Sequence, residues 1–511
     1  MTSARALALA AAALCGALTV FGFAPFGLAP LPVVTLAVLF ALWQRAAPRE
    51  AAWRGFAFGA GLFGAGVTWV YIALETFGGM PMAVALVGTA GFAAYLALWP
   101  ALAGYAAARL APPGSTARAV IAAAAWTLAE GLRGYVFTGF NWLSVGYAQL
   151  PGSPFAGYAP ILGLFGVSLV TALAAAMVAL AIDALADGAW RRVAAQAAIV
   201  VALMVGGAFA SRIEWTEPDG PPLAVSLVQG DIPQAEKFDP RFREKTFAVY
   251  AQLAERSKGR LIVLPESAYP MFSEDVPDDV ILHLVRTAGD RRGDLLLGLF
   301  TAEPPLPGSD DPRFFNTVVS LGDSDLQIYR KRHLVPFGET IPGKAVVGWF
   351  IRNVLAIPLA DQTAGPARQS PFAIAGTRVA VNICYEDAFG SELIEGARTA
   401  GLLVNVTNDA WYGRSIAAFQ HNQIAAMRAL ELGRPMLRAT NTGVTSAIAH
   451  TGRVIATLPW FTRDILEVTI EGRRGATPYQ RWGDAPAFVL AAAVVALAAW
   501  SARRRRRSVA R

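Results

Sequence analysis

Long apolar runs occupy the first two fifths of this chain and recur once near its end. Each run is close to the roughly twenty residues that a helix needs to cross a bilayer. Within lipid, such a chain must satisfy its backbone polar groups inside helices. The sequence therefore predicts a polytopic α-helical membrane domain with about eight spans. They are predicted at 6–23, 31–46, 55–74, 82–108, 119–137, 161–184, 193–210 and 486–502.

Composition excludes several other classes of protein. Of the 511 residues, 55% are hydrophobic and only 16% are charged. The net charge of +7 does not indicate nucleic-acid binding, because no basic stripe with interleaved aromatic residues is present. A disulfide framework is excluded, since one of the two cysteines, Cys15, lies inside the first apolar run. The four histidines lack the spacing of a metal site, so neither a metal nor another cofactor is expected.

Lysine and arginine are distributed unevenly between the loops. The loops after the second, fourth and sixth runs contain arginines, whereas 24–30, 75–81 and 138–160 contain no basic residue. Basic residues concentrate on the cytoplasmic side of a membrane, so both termini are predicted to be cytoplasmic. The segment between the seventh and eighth runs then lies outside. The first run resembles a signal peptide, but the next follows so closely that a retained helix is predicted.

The character of the chain changes at about residue 215. Charged residues become frequent there, and short β-branched segments alternate with helical ones. This alternation predicts a layered α/β domain. Its helices are predicted at 241–256, 279–288, 391–398 and 421–432. Its strands are predicted at 223–228, 261–264, 295–300, 316–320, 326–330, 379–383, 402–406, 436–440, 446–450, 454–457 and 465–470. The predicted division is 1–214 with seven membrane helices, 215–475 as the α/β ectodomain, and 476–511 as a final span with a basic cytoplasmic tail.

Three predicted strands of the ectodomain end in residues that could carry chemistry. The β-branched run Val379–Ile383 is followed directly by Cys384, and two other strands are followed by Glu266 and Lys331. Chemistry in open α/β sheets is usually sited at the carboxyl ends of strands. Taken singly, a free cysteine is more often a structural core residue, and a glutamate or lysine is more often a surface residue. Together the three favour nucleophilic catalysis.

Each of the three residues has a predicted role. A cysteine thiol is mostly protonated at neutral pH, so it needs a base and a nearby cation to attack a carbonyl. Glu266 is the predicted base. Lys331 and the backbone N–H of Tyr385 are predicted to stabilise the negative oxygen of a tetrahedral intermediate. Further polar residues are predicted to hold these groups in place: Asn316, Glu339 and Glu386.

The motifs around these residues resemble those of a known superfamily. They are LPES at 264–267, YRKRHLVPFGE at 329–339 and NICYED at 382–387. They are similar to motifs of the carbon–nitrogen hydrolase (nitrilase) superfamily, and in particular of its bacterial apolipoprotein N-acyltransferase branch. TNDAWYG at 407–413 and MRALE at 427–431 strengthen the resemblance, which covers essentially the whole chain.

This resemblance implies a fold, a reaction and a location. It implies an αββα sandwich for the ectodomain and a catalytic triad of Glu266, Lys331 and Cys384. An acyl chain would move from a phospholipid, typically phosphatidylethanolamine, to the cysteine as a thioester. It would then move to the free α-amino group of the diacylglyceryl-modified N-terminal cysteine of an apolipoprotein. The implied location is the bacterial inner membrane, with the catalytic domain on the periplasmic side.

Aromatic residues are the candidates for lipid contact: Phe238, Trp349, Phe350 and Trp411. At Phe238 the chain departs from the family motif, which usually has tryptophan there, so this position offers a ring for packing but no indole N–H. Trp349 and Phe350 lie in the mostly apolar stretch 346–355. This stretch is predicted either as a lid at the lipid surface or as an ordinary packed helix.

Two other functions remain open on the sequence alone. A membrane-tethered amidase or nitrilase-type hydrolase would use the same three residues on a small amide or ester. A transporter with a ligand-binding outer domain would need ionisable groups inside the membrane. Only Glu130 and Arg133 stand out there.

Overall fold

The computed structural model describes residues 3–305, 312–340 and 362–509, with side chains described up to residue 502. The chain forms two compact units. The first comprises Met1–Tyr71, Ala83–Glu214 and Arg481–Arg511, and the second comprises Ile72–Met82 and Trp215–Gln480. The predicted division of the chain after residues 214 and 475 stays a prediction.

Each of the eight predicted apolar runs coincides with a helix or a pair of helices. Their bounds are Ser3–Thr19, Pro30–Gln44, Pro48–Gly66, Trp69–Ile72, Met82–Leu110, Thr116–Arg133, Ala159–Ala186, Trp190–Ala210 and Ala485–Val509. The longer helices match the apolar stretches because a helix satisfies its backbone polar groups internally.

The number of helices that can span a membrane is smaller than eight. Among the described residues, five helices are long and apolar enough, and a sixth results if the bent pair Pro48–Gly66 and Trp69–Phe77 is one span. Pro30–Gln44 has 15 residues. Its length of about 22 Å is short of the roughly 30 Å hydrocarbon core of a bilayer. The prediction of a polytopic helical domain is confirmed, with five to six spans rather than about eight.

The helix Thr116–Arg133 is less apolar because it contains three charged residues, all of them buried. Arg118 donates to backbone carbonyl oxygens of Trp43, Gln44, Ala46, Ala108 and Ala111. Arg133 Nη1 donates to the carbonyl oxygen of Phe140 at 2.8 Å, and Glu130 Oε1 accepts from the N–H of Val145 at 2.9 Å. These side chains therefore satisfy backbone groups of the first unit.

The described part of the second unit contains twelve strands. They are β1 Thr216–Gln229, β2 Leu261–Val263, β3 Asp294–Glu303, β4 Arg313–Gly322, β5 Ile328–Arg330, β6 Phe372–Ile374, β7 Thr377–Ile383, β8 Leu402–Thr407, β9 Met436–Thr440, β10 Ser446–Ile448, β11 Val454–Thr457 and β12 Asp464–Gly475. Of these, β6 is absent from the sequence prediction, because three residues are too few for a periodic pattern.

The strands form two mixed sheets of six. Their orders are β12-β1-β2-β3-β4-β5 and β11-β10-β9-β8-β7-β6. In the first sheet β1, β2 and β3 run parallel, and in the second β7, β8 and β9 run parallel. The carboxyl ends of neighbouring parallel strands lie at one edge of a sheet. Glu266 follows β2 and Cys384 follows β7, so each residue stands at such an edge.

Alternate side chains of each strand point to opposite faces, which builds the layers. Leu261 and Val263 lie in the core between the two sheets, whereas Ile262 packs on the opposite face. In β8, Val404 lies between the sheets and Leu403 packs on the outer face. This alternation follows from the two-residue period of a strand. Both sheets are therefore covered on both faces, and the predicted αββα sandwich is confirmed.

Helices of the second unit cover the outer faces of the sheets and form short connections. Their bounds are Gln234–Lys237, Arg243–Arg256, Asp278–Gly289, Gly390–Thr399, Ala417–Leu432 and Pro478–Trp482. The helices predicted at 241–256, 279–288, 391–398 and 421–432 are confirmed, with ends that differ by up to four residues.

Candidate active site

Cys384 lies at the point where β7 turns into a single 3₁₀ turn, Cys384–Ala388. Its φ of +53° is in the left-handed region, which a residue with a side chain rarely adopts. Such a conformation costs on the order of 1–3 kcal/mol and persists only where the surroundings hold it. Those surroundings are tight here, because Cys384 exposes only 7% of its surface.

Four polar side chains meet beside the end of β2. Lys331 Nζ lies 2.7 Å from Glu339 Oε1 and 3.4 Å from Glu266 Oε1. Asn316 Nδ2 donates to the same two oxygens, at 2.8 Å for Glu266 and 3.4 Å for Glu339. Among the described residues both side-chain contacts of Glu266 use Oε1, so Oε2 is available to accept a proton.

Cys384 belongs to the same group. It interacts electrostatically with both Glu266 and Lys331, so the structure brings the three predicted residues together. Burial, and then the carboxylate of Glu266, raise the pKa of the Cys384 thiol well above its usual value, and Lys331 only partly opposes them. The resting cysteine is therefore a thiol, and attack on a carbonyl requires that its proton be removed during the reaction.

Lys331 remains a cation although it is buried. Burial by itself would lower its pKa, but the carboxylates of Glu339 and Glu266 outweigh burial and hold the pKa well above its usual value. The backbone N–H of Lys331 donates to the carbonyl oxygen of Asn316 at 2.8 Å, which fixes the start of the side chain. A fixed ammonium group in a buried site is suited to stabilise a developing negative charge.

Glu386 connects the cysteine turn to the segment that carries the lysine. Its Oε2 accepts from the N–H of Ile383 at 2.6 Å and from the Tyr329 hydroxyl at 3.0 Å. Its Oε1 accepts from the N–H of Arg332 at 2.6 Å. Burial raises the pKa of Glu386, and the N–H groups of Ile383 and Arg332 oppose this. The carboxylate of Glu386 thereby holds Ile383, which precedes Cys384, close to Arg332, which follows Lys331.

Tyr385 places its backbone N–H directly after the nucleophile candidate. The residue exposes 6% of its surface. Its ring centroid lies 5.1 Å from that of Phe389 and 5.8 Å from that of His333. This packing immobilises the residue whose N–H is the predicted oxyanion donor.

Lys237 is a buried cation that the sequence prediction missed. It exposes 3% of its surface, and its Nζ donates to the backbone oxygen of Glu266 at 2.9 Å. Burial lowers the pKa of Lys237 to about 8, although Glu266 and Cys384 oppose this. A single lysine in a polar segment gives no signal of burial, so only its position next to Phe238 could have drawn attention to it.

Two of the four aromatic candidates for lipid contact lie together on the surface of the second unit. Phe238 is 47% exposed and Trp411 is 39% exposed, and their ring centroids are 6.2 Å apart. Phe77, which belongs to the same unit, also lies 6.2 Å from Trp411. Trp349 and Phe350, with the whole predicted lid at 346–355, lie outside the described residues.

Two family models match this chain. One, described as the apolipoprotein N-acyltransferase N-terminal domain, matches residues 15–177, and the other, described as carbon–nitrogen hydrolase, matches residues 224–479. The second match contains all three residues of the site. The chain thus has both parts in the order expected from its sequence.

Curated relatives match over most of their length. The apolipoprotein N-acyltransferase of Nitrosomonas europaea is 49% identical over 443 residues, which cover 86% of each chain. That of Methylococcus capsulatus is 42% identical, covering 86% of this chain and 85% of the relative. That of Ralstonia nicotianae is 41% identical, covering 87% and 83%. With these matches across both units, this multi-pass membrane enzyme belongs to the apolipoprotein N-acyltransferase family.

Proposed function

We propose that this protein transfers an acyl chain from a phospholipid to the N-terminal α-amino group of a diacylated apolipoprotein, through a thioester on Cys384. The observation that carries the proposal is the buried ammonium of Lys331, 3.4 Å from the Glu266 carboxylate, beside a cysteine with strained backbone. Phosphatidylethanolamine is the proposed donor. The names of the relatives support an apolipoprotein as the acceptor.

In the first half-reaction Glu266 takes the proton of the Cys384 thiol as sulfur attacks an ester carbonyl of the phospholipid. The carbonyl oxygen becomes an oxyanion, which Lys331 and the N–H of Tyr385 stabilise. When the intermediate collapses, the C–O bond breaks and Glu266 returns the proton to the leaving alkoxide. The products are a lysophospholipid and an acyl thioester, and no cofactor is needed.

In the second half-reaction the neutral α-amine of the apolipoprotein attacks the thioester carbonyl. Glu266 accepts a proton from the amine, and the same two donors stabilise the second oxyanion. The C–S bond then breaks, and the proton passes from Glu266 to the sulfur. The amide product leaves, and the enzyme regains a thiol and a carboxylate, as in the resting site.

Both termini are proposed to face the cytoplasm and the catalytic unit the periplasm. Five consecutive arginines at 503–507 follow the last apolar helix, which supports a cytoplasmic C-terminus. The catalytic unit precedes that helix in the chain, so it would lie on the opposite side of the membrane. Mature diacylated apolipoproteins would then meet the enzyme on the side of the membrane where the catalytic unit lies. Phe238 and Trp411 are the proposed contacts to lipid.

Product stoichiometry separates a transferase from a hydrolase. The purified full-length protein in detergent is mixed with phosphatidylethanolamine, and lysophospholipid is quantified with and without a diacylated lipopeptide that has a free α-amine. Without the acceptor we expect one equivalent of lysophospholipid per enzyme and then a stall, because the thioester has no nucleophile. With the acceptor, release continues and triacylated peptide accumulates.

The matched control is the same lipopeptide with its α-amine acetylated. With this peptide, lysophospholipid release should still stop after one equivalent per enzyme. Continuous release of lysophospholipid and free fatty acid without any amine would contradict the proposal and indicate a hydrolase. Phospholipids with other headgroups, tested in the same assay, determine the donor preference.

A further inference from the structure

A ring of four charged side chains lies buried next to the cysteine turn. Asp387, Asp409, His421 and Arg438 each expose 2% of their surface or less. Arg438 lies 3.0 Å from one oxygen of each aspartate, through Nη1 to Asp387 and Nη2 to Asp409. His421 lies 2.9 Å from Asp387 through Nε2 and 2.7 Å from Asp409 through Nδ1. We call these four residues the charged ring.

The imidazole of His421 carries a proton on each of its two nitrogens at neutral pH. Each of its nitrogens faces a carboxylate oxygen, so each is best satisfied as a donor. Burial and Arg438 would lower the pKa of His421, but Asp387 and Asp409 outweigh them and raise it to about 9. Two cations therefore balance two carboxylates, which lets the ring remain buried without a net charge.

The charged ring contacts the backbone of the nucleophile. His421 Nε2 lies 3.3 Å from the carbonyl oxygen of Cys384, and Asn405 Nδ2 donates to the same oxygen at 3.0 Å. Asn405 is held in turn by Arg438, whose Nη1 donates to its Oδ1 at 2.9 Å. The Nδ2–H of Asn405 and the Nε2–H of His421, which is shared with Asp387, thus hold the carbonyl group of a residue with a φ of +53°.

The orientation of that carbonyl decides where the next N–H points. The carbonyl of Cys384 and the N–H of Tyr385 belong to one trans peptide group, in which they point in opposite directions. Because the carbonyl is held toward the charged ring, the N–H of Tyr385 is directed away from it. We propose that His421 and Asn405 are positioning residues that aim the N–H of Tyr385 at the oxyanion.

This inference rests on the proposed function, in which Cys384 is the nucleophile and Tyr385 contributes an oxyanion donor. Without the two donors, the peptide can rotate and Cys384 can relax from its positive φ. The thiol would remain, but one of the two groups that stabilise the oxyanion would be lost. Acyl transfer, which forms an oxyanion, should therefore suffer more than a reaction of the same sulfur that forms none.

Two replacements of His421 form a matched pair. Glutamine places a side-chain nitrogen near the position of Nε2 and keeps a donor for the Cys384 carbonyl, whereas asparagine places it near Nδ1 and does not. Both remove the charge of the imidazolium. Any effect that comes only from the lost charge should therefore be equal in His421→Gln and His421→Asn.

The experiment measures two rates on the full-length protein in detergent, each followed on the peptide that contains Cys384. One is acyl loading from phosphatidylethanolamine, and the other is alkylation by iodoacetamide, a displacement that forms no oxyanion. We expect His421→Asn to slow loading about 100-fold, the usual effect of losing one oxyanion donor, and His421→Gln to slow it less than about fivefold. Alkylation should change less than about threefold in both.

Glu431→Gln is the control for general destabilisation. Glu431 forms a buried ion pair with Arg428 at 3.1 Å on the helix Ala417–Leu432, which also carries His421. Neither partner of this ion pair belongs to the charged ring. The variant should lower the melting temperature about as much as His421→Asn does, yet load acyl groups at the rate of the unchanged protein.

Equal loading rates in His421→Asn and His421→Gln would overturn the inference, as would alkylation that falls in parallel with loading. If His421→Asn does not accumulate, Asn405→Ala removes the other donor, and the same comparison of the two rates applies. Failure of the proposed function looks different: the unchanged protein would carry no acyl group on Cys384, or Cys384→Ala would still transfer one.

Discussion

The two units of this protein each bury a glutamate together with a cation, and the two pairs have different surroundings. In the first unit Arg133 and Glu130 contact backbone groups, including the carbonyl oxygen of Phe140 and the N–H of Val145. They also contact the side chains of Ser144 and Trp126. In the second unit, Lys331 Nζ and Glu266 Oε1 contact other side chains.

This difference separates a structural pair from a reactive one. Backbone groups must be satisfied in the folded chain, so a charged side chain bound to them cannot change its state without cost. Side chains that meet only each other, beside a thiol, can exchange a proton during a reaction. Burial of charge alone does not mark a functional site, which also weakens the transporter interpretation of Glu130 and Arg133.

The largest expected effect is at the sulfur. Cys384→Ala should reduce acyl transfer by more than about 10⁴-fold, as removal of a nucleophile does in other covalent enzymes. Cys15→Ala, the control, removes the other cysteine and should leave the rate unchanged. The measurement is lysophospholipid release per folded enzyme. Turnover in Cys384→Ala within tenfold of that of the unchanged protein would contradict the role of Cys384 as the nucleophile of the reactive site.

The same substitution in both glutamates tests the comparison itself. Glu266→Gln should slow thioester formation by about 10²–10⁴-fold, because a general base is lost, with little change in melting temperature. Glu130→Gln should lower the melting temperature, because it leaves a buried partner incompletely satisfied, with the rate per folded molecule unchanged.

The pair of variants is measured by single-turnover loading and by thermal unfolding in detergent. A loss of rate in Glu130→Gln as large as that in Glu266→Gln would contradict the distinction between the two pairs. A loss of stability in Glu266→Gln without a loss of rate would do so as well.

A smaller effect is expected at Glu386, which supports the site without touching the reacting atoms. The N–H groups of Ile383 and Arg332 donate to different oxygens of Glu386. Glu386→Gln replaces one of these oxygens by an NH₂ group, so one of the two N–H groups loses its acceptor. Loss of one such hydrogen bond, worth about 1–3 kcal/mol, should slow loading about tenfold and lower the melting temperature. A full loss of activity with unchanged stability would instead assign Glu386 to the chemistry.

The charged ring has an effect on stability that depends on pH. The pKa of His421 is raised from 6.5 to about 9 in the folded protein by Asp387 and Asp409, against burial and Arg438. The protonated imidazole therefore contributes fully to the free energy of unfolding below pH 6.5, and this contribution is lost as the pH rises through about 9. Relative to His421→Gln, the unchanged protein should therefore lose its advantage in melting temperature between pH 6.5 and 9. A constant difference from pH 6 to 10 would contradict the contribution of the imidazolium.

The sequence was most informative about the layers of the second unit and the ends of its strands. Val379–Ile383 shows the β-branched pattern of a buried strand, so the position of Cys384 at a strand end could be predicted, and the motifs around Glu266 and Lys331 indicated their partnership. The alternation that places Leu261 and Val263 on one face also follows from the pattern alone.

Other features depend on contacts between distant parts of the chain. Lys237 ends the short helix Gln234–Lys237, and its buried Nζ reaches the backbone oxygen of Glu266 just after β2. Nothing in the neighbouring sequence indicates this contact. Asp409 and Arg438 meet His421 only after three separate segments have folded. The number of membrane spans was overestimated because Pro30–Gln44 is apolar but short, and because Thr116–Arg133 contains three charged residues.

The most direct test of the account is mass spectrometry of the peptide that contains Cys384, taken from full-length protein incubated with phosphatidylethanolamine and no acceptor. We expect the added mass of one fatty acyl group on Cys384, sensitive to hydroxylamine, which disappears when a diacylated lipopeptide with a free α-amine is added. An unmodified Cys384 peptide from a preparation that still transfers acyl groups would contradict the thioester and, with it, the proposed roles of Glu266 and Lys331.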